Sequence, residues 1–325
     1  MQRIGSIVTL AALTVAFSAC QHAETEPVTS VAEGYITADD GTKLYYRSVG
    51  RGSDVVVIPV ALYVEDLLLP LAKGRRVVFY DPRNRGRSDA AELDSISLDR
   101  QVADLEALRS SLGIERMALL GWSGLGMEMA VYTLRFPQHV TRLIQVSPVP
   151  PAASIMKEFG DTRGDDTDQA ALDELYRQSD EGAFVGRPAA FCRLHNALTL
   201  PGNFVDDTLV NRVPDVCVYE NEWPLNLWPY FGVLLPSFGD YDWREELQAL
   251  RVPRLIIHGR EDGIPLEGAR AWAAGFDEAR LLVLSPSGHF PFIEQPEPFF
   301  AAVETFLSGT WPDSAVALPP AASAR

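Results

Sequence analysis

The feature that most constrains this fold is a serine between glycines, at the junction of two different hydrophobic patterns. Ser123 lies in the segment 121–126 (GWSGLG), directly after the apolar run 117–120, and an amphipathic stretch follows at 127–136. This order predicts a strand that reaches the serine and then turns at once into a helix. So sharp a turn forces the serine into strained backbone angles, and small neighbours keep Cβ atoms out of the turn. We therefore expect the serine hydroxyl to project above the edge of a sheet.

Strands and helices alternate on both sides of this turn. Continuous apolar runs at 54–58, 76–80 and 143–146 are typical of strands buried in a parallel sheet, and helical patterns separate them. The alternation resumes with a strand at 254–257 and ends with a helix at 298–307. These patterns predict an α/β fold, a mostly parallel sheet flanked by helices.

About ninety residues rich in Trp and Pro interrupt the alternation. This stretch is too long for a loop, so it predicts a helical cap inserted over the sheet. Polar sequence before the first strand predicts a flexible tether, and the Ala- and Pro-rich C-terminal end predicts a disordered tail. The predicted boundaries are a signal peptide at 1–19, a tether at 20–33, an α/β core at 34–150 and 246–308, a cap at 151–245 and a tail at 309–325.

The N-terminal residues have the pattern of an export signal. Arg3 precedes the short apolar stretch 4–17, and small residues lead to Cys20. The stretch is too short to span a membrane and matches a signal peptide. Cys20 resembles the lipid-bearing cysteine of bacterial lipoproteins, although Phe17 stands where that pattern usually has Leu. We expect an exported protein of the cell envelope or periplasm that contacts the membrane through this lipid only; plain secretion with cleavage near Ala19 is the alternative.

Two further cysteines lie within the predicted cap. Cys192 and Cys217 are 25 positions apart, and an even pair in an exported protein is compatible with a disulfide. Two buried thiols are the alternative, and the sequence leaves both open.

A serine hydroxyl is a weak nucleophile until a base takes its proton, so Ser123 requires a histidine. His289 lies in the loop 287–291, directly past the last predicted strand, where its side chain can reach over the sheet edge. It is the candidate base. The other histidines lie in the tether, beside the strand after the serine helix, in the cap, and in a strand where core packing is expected: His22, His139, His195 and His258.

The imidazole must be held in one tautomer by an acceptor on its other nitrogen. Asp262 follows Gly259, which ends the preceding strand, and its loop belongs to the same sheet edge as Ser123. Glu261 is the competing acceptor. We favour Asp262 because of its position in the loop.

The chain resembles the α/β-hydrolase superfamily over residues 34–308. The order of Ser, Asp and His along the chain is the order of that family. The segment 81–89 (DPRNRGRSD) resembles the D-x-R-G-x-G-x-S turn familiar from proline iminopeptidases and related esterases, and 289–296 (HFPFIEQP) resembles the family's last catalytic loop. The resemblance implies a Ser-His-Asp hydrolase that acts through an acyl-enzyme on small esters or on the N-terminal residue of short peptides.

The chain departs from the family pattern at three places. Leu125 replaces the small residue expected two places after the nucleophile, 59–60 (Pro-Val) replaces His-Gly, and Asn84 replaces a Gly, whose left-handed conformation Asn tolerates best. By position, the oxyanion would be bound by the backbone N–H groups of Ala61 and Gly124. None of these changes removes a catalytic atom.

The substrate is expected to be selected by the cap. In iminopeptidases similar to this chain, cap glutamates hold the free amino group of the substrate, and Glu220 or Glu222 would do so here. A solvent-facing acidic loop is the alternative. Aromatic residues nearby either line a pocket or fill a small core: Trp223, Trp228, Tyr230 and Phe231.

Several function classes are disfavoured by the sequence. A formal net charge of −16 argues against a nucleic-acid partner. No P-loop, metal-ligand cluster or dinucleotide fingerprint is found, so neither a cofactor nor a metal is expected. A serine at position 123, rather than an aspartate, disfavours alkyl-enzyme chemistry. The remaining alternative to an enzyme is a catalytically idle hydrolase-fold binding protein, which the intact Ser, Asp and His set disfavours.

Overall fold

The computed structural model describes residues 30–159 and 168–320. The predicted signal peptide and the predicted lipid attachment point, Cys20, lie outside the described residues. The first strand already begins at Ser30, so the predicted end of the tether (20–33) is wrong. Its last four residues belong to the sheet.

Eight strands form one sheet in the described part of the chain. They are β1 Ser30–Thr37, β2 Lys43–Gly50, β3 Val55–Pro59, β4 Arg76–Tyr80, β5 Met117–Trp122, β6 Val140–Val146, β7 Arg254–Gly259 and β8 Ala279–Leu284. Their spatial order is β1-β2-β4-β3-β5-β6-β7-β8. β2 pairs antiparallel with β1 and β4, and every later pair is parallel. The predicted mostly parallel sheet is confirmed.

Helices connect the parallel strands and build the cap. The α-helices are α1 Ala61–Leu68, α2 Leu98–Ser111, α3 Gly124–Arg135, α4 Ala153–Phe159, α5 Gln169–Asp180, α6 Pro188–Thr199, α7 Pro224–Ser237, α8 Glu246–Ala249, α9 Leu266–Ala273, α10 Pro291–Glu294 and α11 Pro296–Leu307. Short 3₁₀ helices cover Leu69–Ala72, Leu93–Ser95, Pro137–His139, Pro201–Asn203, Asp207–Arg212, Val216–Val218 and Glu220–Glu222. None of the described helices has the length and apolar character needed to cross a membrane.

The sheet separates two hydrophobic cores, because successive side chains of a strand point to opposite faces. In β3, Val55 and Val57 join one core, whereas Val56 and Ile58 join the other. Helices α2, α3 and α9 cover the first face, and α1 and α11 cover the second. The flanking of the sheet by helices on both faces is thus also confirmed.

The predicted cap, residues 151–245, contains four of the α-helices, α4 to α7, and most of the short 3₁₀ helices, and α8 follows it before β7. Within it, Cys192 of α6 is bonded to Cys217, and their Cα atoms are 5.7 Å apart. Trp228 of α7 donates a hydrogen bond of 2.8 Å to the hydroxyl of Tyr176 in α5. Elements of the cap are therefore linked to one another by covalent and hydrogen-bond contacts.

The C-terminal tail differs from the prediction. Residues 309–325 were expected to be disordered, but Val316 forms an antiparallel bridge with Leu281 of β8, with two backbone hydrogen bonds of 2.9 Å. Leu318 forms a second bridge, with Ala274. Unpaired backbone groups at the edge of a sheet gain hydrogen bonds from any extended segment beside them, whatever its composition. The prediction of disorder is therefore wrong for the described part of the tail.

Candidate active site

The serine at the end of β5 is held in the strained turn that the sequence predicts. Ser123 has φ 59° and ψ −133°, and α3 begins at the next residue. A Cβ atom on Gly121 would lie 2.4 Å from the carbonyl oxygen of Leu125, so only glycine fits there. The N–H of Ser123 donates to the carbonyl of Val146 in β6, at 2.9 Å. The sheet therefore fixes the serine, and its side chain faces the cavity described below.

Backbone strain is concentrated at one edge of the sheet. Four residues other than glycine have positive φ among the described residues: Val60, Asn84, Ser123 and Ser147. They follow the carboxyl ends of β3, β4, β5 and β6, respectively. Each such residue costs on the order of 1–3 kcal/mol, and strain of this kind clusters at functional sites. The carboxyl edge is therefore the candidate site on backbone geometry alone.

His289 and Asp262 form the expected pair. His289 Nδ1 lies 3.0 Å from each carboxylate oxygen of Asp262, and Asp262 also accepts a bond of 2.9 Å from the N–H of Ile264. Burial opposes the charge of Asp262, but the interaction with His289 outweighs it and lowers the pKa of Asp262 to about 2. The carboxylate therefore stays ionised and orients the ring.

The two competing residues have other partners. Glu261 accepts bonds from the hydroxyl of Ser285 (2.9 Å) and the N–H of Ser287 (2.8 Å), so it holds the loop that leads to His289. His258 is fully buried in β7, as expected of a core histidine; its Nε2 lies 2.9 Å from the carbonyl of Ile264. Burial lowers the pKa of His258 and favours a neutral ring.

Ser123 and His289 line the same cavity, of about 320 Å³, between the carboxyl edge of the sheet and the cap. Trp122 donates from its indole N–H to the carbonyl of His289, at 2.8 Å, which ties the histidine loop to the serine turn. Among the described residues the Ser123 hydroxyl has no hydrogen-bond partner, and such catalytic contacts often tighten only when substrate binds. Apolar and aromatic cap residues complete the wall: Leu227, Trp228, Tyr230, Phe231, Leu234 and Leu235.

The predicted oxyanion donors lie at the starts of two helices. Ala61 begins α1 and Gly124 begins α3, where backbone N–H groups have no acceptor within the helix. Val60 has φ 53° and ψ 53°, a left-handed conformation that glycine adopts more readily than other residues. Asp81 accepts from the N–H of Leu62 at 2.9 Å and holds the start of α1. The valine therefore does not prevent the turn that the predicted site requires.

The structure corrects the expectation for the cap glutamates. Glu222 is buried, and its carboxylate forms two hydrogen bonds with the guanidinium of Arg85, at 2.5 and 2.9 Å, and a third with the N–H of Gly86, at 3.2 Å. Its charge is matched within the protein, so Glu222 is not available to a substrate ammonium. Glu220 is exposed and is not among the residues that line the cavity.

The sequence reasoning missed Glu128. This residue lines the cavity and is 4 % exposed, and among the described residues its carboxyl accepts no hydrogen bond. Burial raises the pKa of Glu128 to about 8, and the nearby charge of Arg85 opposes that rise only in part. The sequence did carry a signal, because Glu128 is the only charged residue in the stretch 125–133. The helix was predicted to be amphipathic, but all nine of these residues are buried.

His195 also lines the cavity. It is 6 % exposed, its two ring nitrogens have no hydrogen-bond partner in the described part of the chain, and Tyr176 and Trp228 pack edge-on against it. Burial lowers the pKa of His195, so the ring is neutral at neutral pH and forms part of the aromatic wall. No group of three or more potential metal ligands is found among the described residues.

Comparisons with known proteins identify a family model and relatives that match this chain. The model of the α/β-hydrolase fold family matches residues 60–296. A bifunctional esterase/perhydrolase of Acinetobacter calcoaceticus is 25 % identical over 256 residues, 71 % of this chain and 83 % of the relative. A proline iminopeptidase of Lactobacillus helveticus is 26 % identical over 287 residues, 82 % of this chain and 95 % of the relative. The structure of an esterase from Exiguobacterium antarcticum superposes with a TM-score of 0.62 at 22 % identity and covers 86 % of this chain and 100 % of that one, which shows the shared fold.

Proposed function

The chain belongs to the α/β-hydrolase fold family, and from this premise we propose that it is a serine hydrolase of small esters or N-terminal aminoacyl bonds. One observation carries the proposal: the hydrogen-bonded pair of His289 and Asp262 adjoins the cavity into which the strained Ser123 faces. A nucleophile, a base and an acceptor that orients the base are the parts that acyl transfer needs.

The mechanism follows from the tautomer of the histidine. Nδ1 of His289 donates to the carboxylate of Asp262, so Nε2 carries the free lone pair and takes the proton from Ser123. The serine oxygen attacks the carbonyl carbon, and the N–H groups of Ala61 and Gly124 stabilise the developing oxyanion. The imidazolium then protonates the leaving alcohol or amine, and water hydrolyses the acyl-enzyme by the same steps.

Small substrates are supported by the cavity. About 320 Å³ lies at the lower end of the range of ligand pockets in proteins, and most of the lining side chains are apolar or aromatic. Relatives named as an esterase/perhydrolase and as a proline iminopeptidase support the two bond types without separating them.

The proposal includes export and anchoring by a lipid on Cys20. The N-terminal sequence pattern supports export, and the bond between Cys192 and Cys217 is of the kind that persists outside the cytoplasm. Replacing Cys20 by Ser is then expected to release the mature protein from the membrane fraction without changing its hydrolytic rate. Release of the unaltered protein without detergent would support plain secretion instead.

The catalytic part is tested by labelling with a fluorophosphonate, which reacts with activated serines. The unaltered protein should be labelled and Ser123→Ala should not, and Ser123→Ala should lose on the order of 10⁴-fold in turnover on para-nitrophenyl esters or aminoacyl para-nitroanilides. Absence of labelling in a folded preparation would contradict the proposal and favour an idle binding protein. Labelling at another serine would show that the wrong nucleophile was assigned.

A further inference from the structure

One charge-bearing side chain in the cavity wall is left without a partner. Arg85 is paired with Glu222, and His289 with Asp262. Glu128 is the only carboxyl group among the described lining residues, and no donor in the described part of the chain reaches it. A carboxyl group buried without a hydrogen bond costs free energy, so its presence in a cavity wall calls for a ligand that satisfies it.

We propose that Glu128 is a specificity-determining residue that binds the protonated amino group of a small aminoacyl substrate. This inference rests on the proposed function and assigns to α3 a role that the sequence reasoning gave to the cap. The expected substrates have a primary or secondary amine near the scissile carbonyl.

The position of Glu128 on α3 suits this role. It comes four residues after Gly124 and three after Leu125, so the three residues lie on one face of the helix, and all of them line the cavity. Four residues span about 6 Å of helix, and helical side chains lean toward the N terminus. The carboxyl of Glu128 therefore leans toward Ser123, within reach of an amine close to the reacting carbonyl.

The surrounding charges favour a cation over an anion. The positive charge of Arg85 is matched by Glu222, so it leaves little attraction for an anionic ligand, whereas an ammonium gives Glu128 the partner that it lacks. The guanidinium of Arg85 also lies over the rings of Tyr230 and Phe231, at 5.7 and 5.6 Å from their centroids, so these contacts as well as Glu222 hold its charge within the protein. The raised pKa of Glu128 describes the empty site, and a bound ammonium would return the carboxyl to its ionised form.

The test uses substrates that differ only in the amine. Para-nitrobenzyl esters of L-proline and cyclopentanecarboxylic acid form one pair, and those of L-alanine and isobutyric acid form another; in each pair a carbon replaces the nitrogen. Measurements at about pH 6.5 keep the α-amino groups protonated. The ratio of kcat/KM within each pair should favour the amine in the unaltered protein.

Glu128→Gln keeps the shape of the protonated carboxyl and removes the charge. It should reduce the amine-to-carbon ratio by about 10- to 100-fold, the range expected for losing a charge-assisted hydrogen bond. Glu297→Gln is the matched control, because Glu297 is an exposed carboxylate of α11 that does not line the cavity, and it should keep the ratio. Labelling of Glu128→Gln by a fluorophosphonate checks that the serine turn is intact.

A binding experiment separates failure of this inference from failure of the proposed function. In the Ser123→Ala background, calorimetry should find that L-prolinamide binds more tightly than cyclopentanecarboxamide and that Glu128→Gln abolishes the difference. Equal binding of the two amides, or an unchanged ratio in Glu128→Gln, overturns the role of Glu128, even if the esters are hydrolysed. Amine-selective binding that depends on Glu128, without hydrolysis of any ester, overturns the proposed function instead.

Discussion

The carboxyl edge of the sheet and the cap contribute different things to one cavity. At the sheet edge, the groups assigned to the reaction follow strand ends, where strained backbone angles and hydrogen bonds fix them, as for Ser123 and His289. The cap supplies mainly apolar and aromatic walls, and two of its lining residues, Trp228 and Leu235, are more than half exposed. The comparison teaches that the proposed catalytic groups and Glu128 belong to the core, whereas much of the apolar wall around them belongs to a cap that a few strong contacts hold in place.

The largest expected effect tests the core side of this comparison. Asp262→Asn keeps the shape of the carboxylate but permits the wrong tautomer of His289, so turnover should fall by roughly 10³- to 10⁴-fold. Glu261→Gln, which changes the neighbouring carboxylate that holds the loop, should cost far less. Steady-state kinetics on a para-nitrophenyl ester measure both, and a larger loss for Glu261→Gln would show that the acceptor was misassigned.

The strongest described link between the two regions is the ion pair of Arg85 with Glu222. Arg85→Met leaves the buried Glu222 carboxylate without its partner, so the free energy of unfolding should fall by about 3–5 kcal/mol. The double variant Arg85→Met/Glu222→Leu should recover most of that loss. Arg177→Met, in an exposed ion pair of α5, is the control and should leave the urea unfolding transition nearly unchanged, because solvent screens exposed ion pairs.

The disulfide between Cys192 and Cys217 should stabilise the folded protein without being needed for the geometry of the serine turn. Replacing Cys192 and Cys217 together by Ala removes a closed loop of 25 positions, and the free energy of unfolding should fall by about 3 kcal/mol. Reduction of the unaltered protein should have the same effect, and the variant should not respond to the reductant. A variant that loses fluorophosphonate labelling while still folded would show that the cap bond also supports the serine turn.

The smallest expected effect is a gain in the free energy of unfolding when Glu128 is replaced by Gln, and this gain should depend on pH. Folding raises the pKa of Glu128 from 4.5 to about 8, so the folded state holds a proton that the unfolded state releases. The contribution of Glu128 to stability therefore falls as the pH rises from about 4.5 to about 8. Glu128→Gln should unfold like the unaltered protein at about pH 4 and be more stable by about 2–3 kcal/mol at pH 7, measured by urea unfolding.

Local patterns in the sequence predicted the core better than the cap. The strand-turn-helix pattern around Ser123 and the loops that carry Asp262 and His289 are short segments, and the order of a parallel sheet brings their strand ends to one edge. The fold class is confirmed, and Asp262 and His289 do lie in hydrogen-bond contact. The catalytic roles of these residues remain a proposal that the labelling experiment tests.

What the sequence could not show depends on contacts between distant segments. Glu222 has the charge expected of a residue that binds a substrate ammonium. Its partner Arg85 is 137 positions away, so the sequence pattern around Glu222 could not show that this charge is already paired. Glu128 was overlooked because an amphipathic helix would have placed such a charge in solvent, whereas α3 is buried on all sides. The tail was judged by composition alone, and a sheet edge pairs with backbone groups that composition does not describe.

The bridge between Val316 and Leu281 has a consequence for the behaviour of the protein at high concentration. β8 is the last strand of the sheet, and without the tail its outer row of N–H and C=O groups would be open to pairing with another molecule. By pairing with β8, the tail should hinder the formation of a sheet between molecules. Variants that end after α11 would lack this pairing, and light scattering should show them aggregating at concentrations at which the full chain stays dispersed.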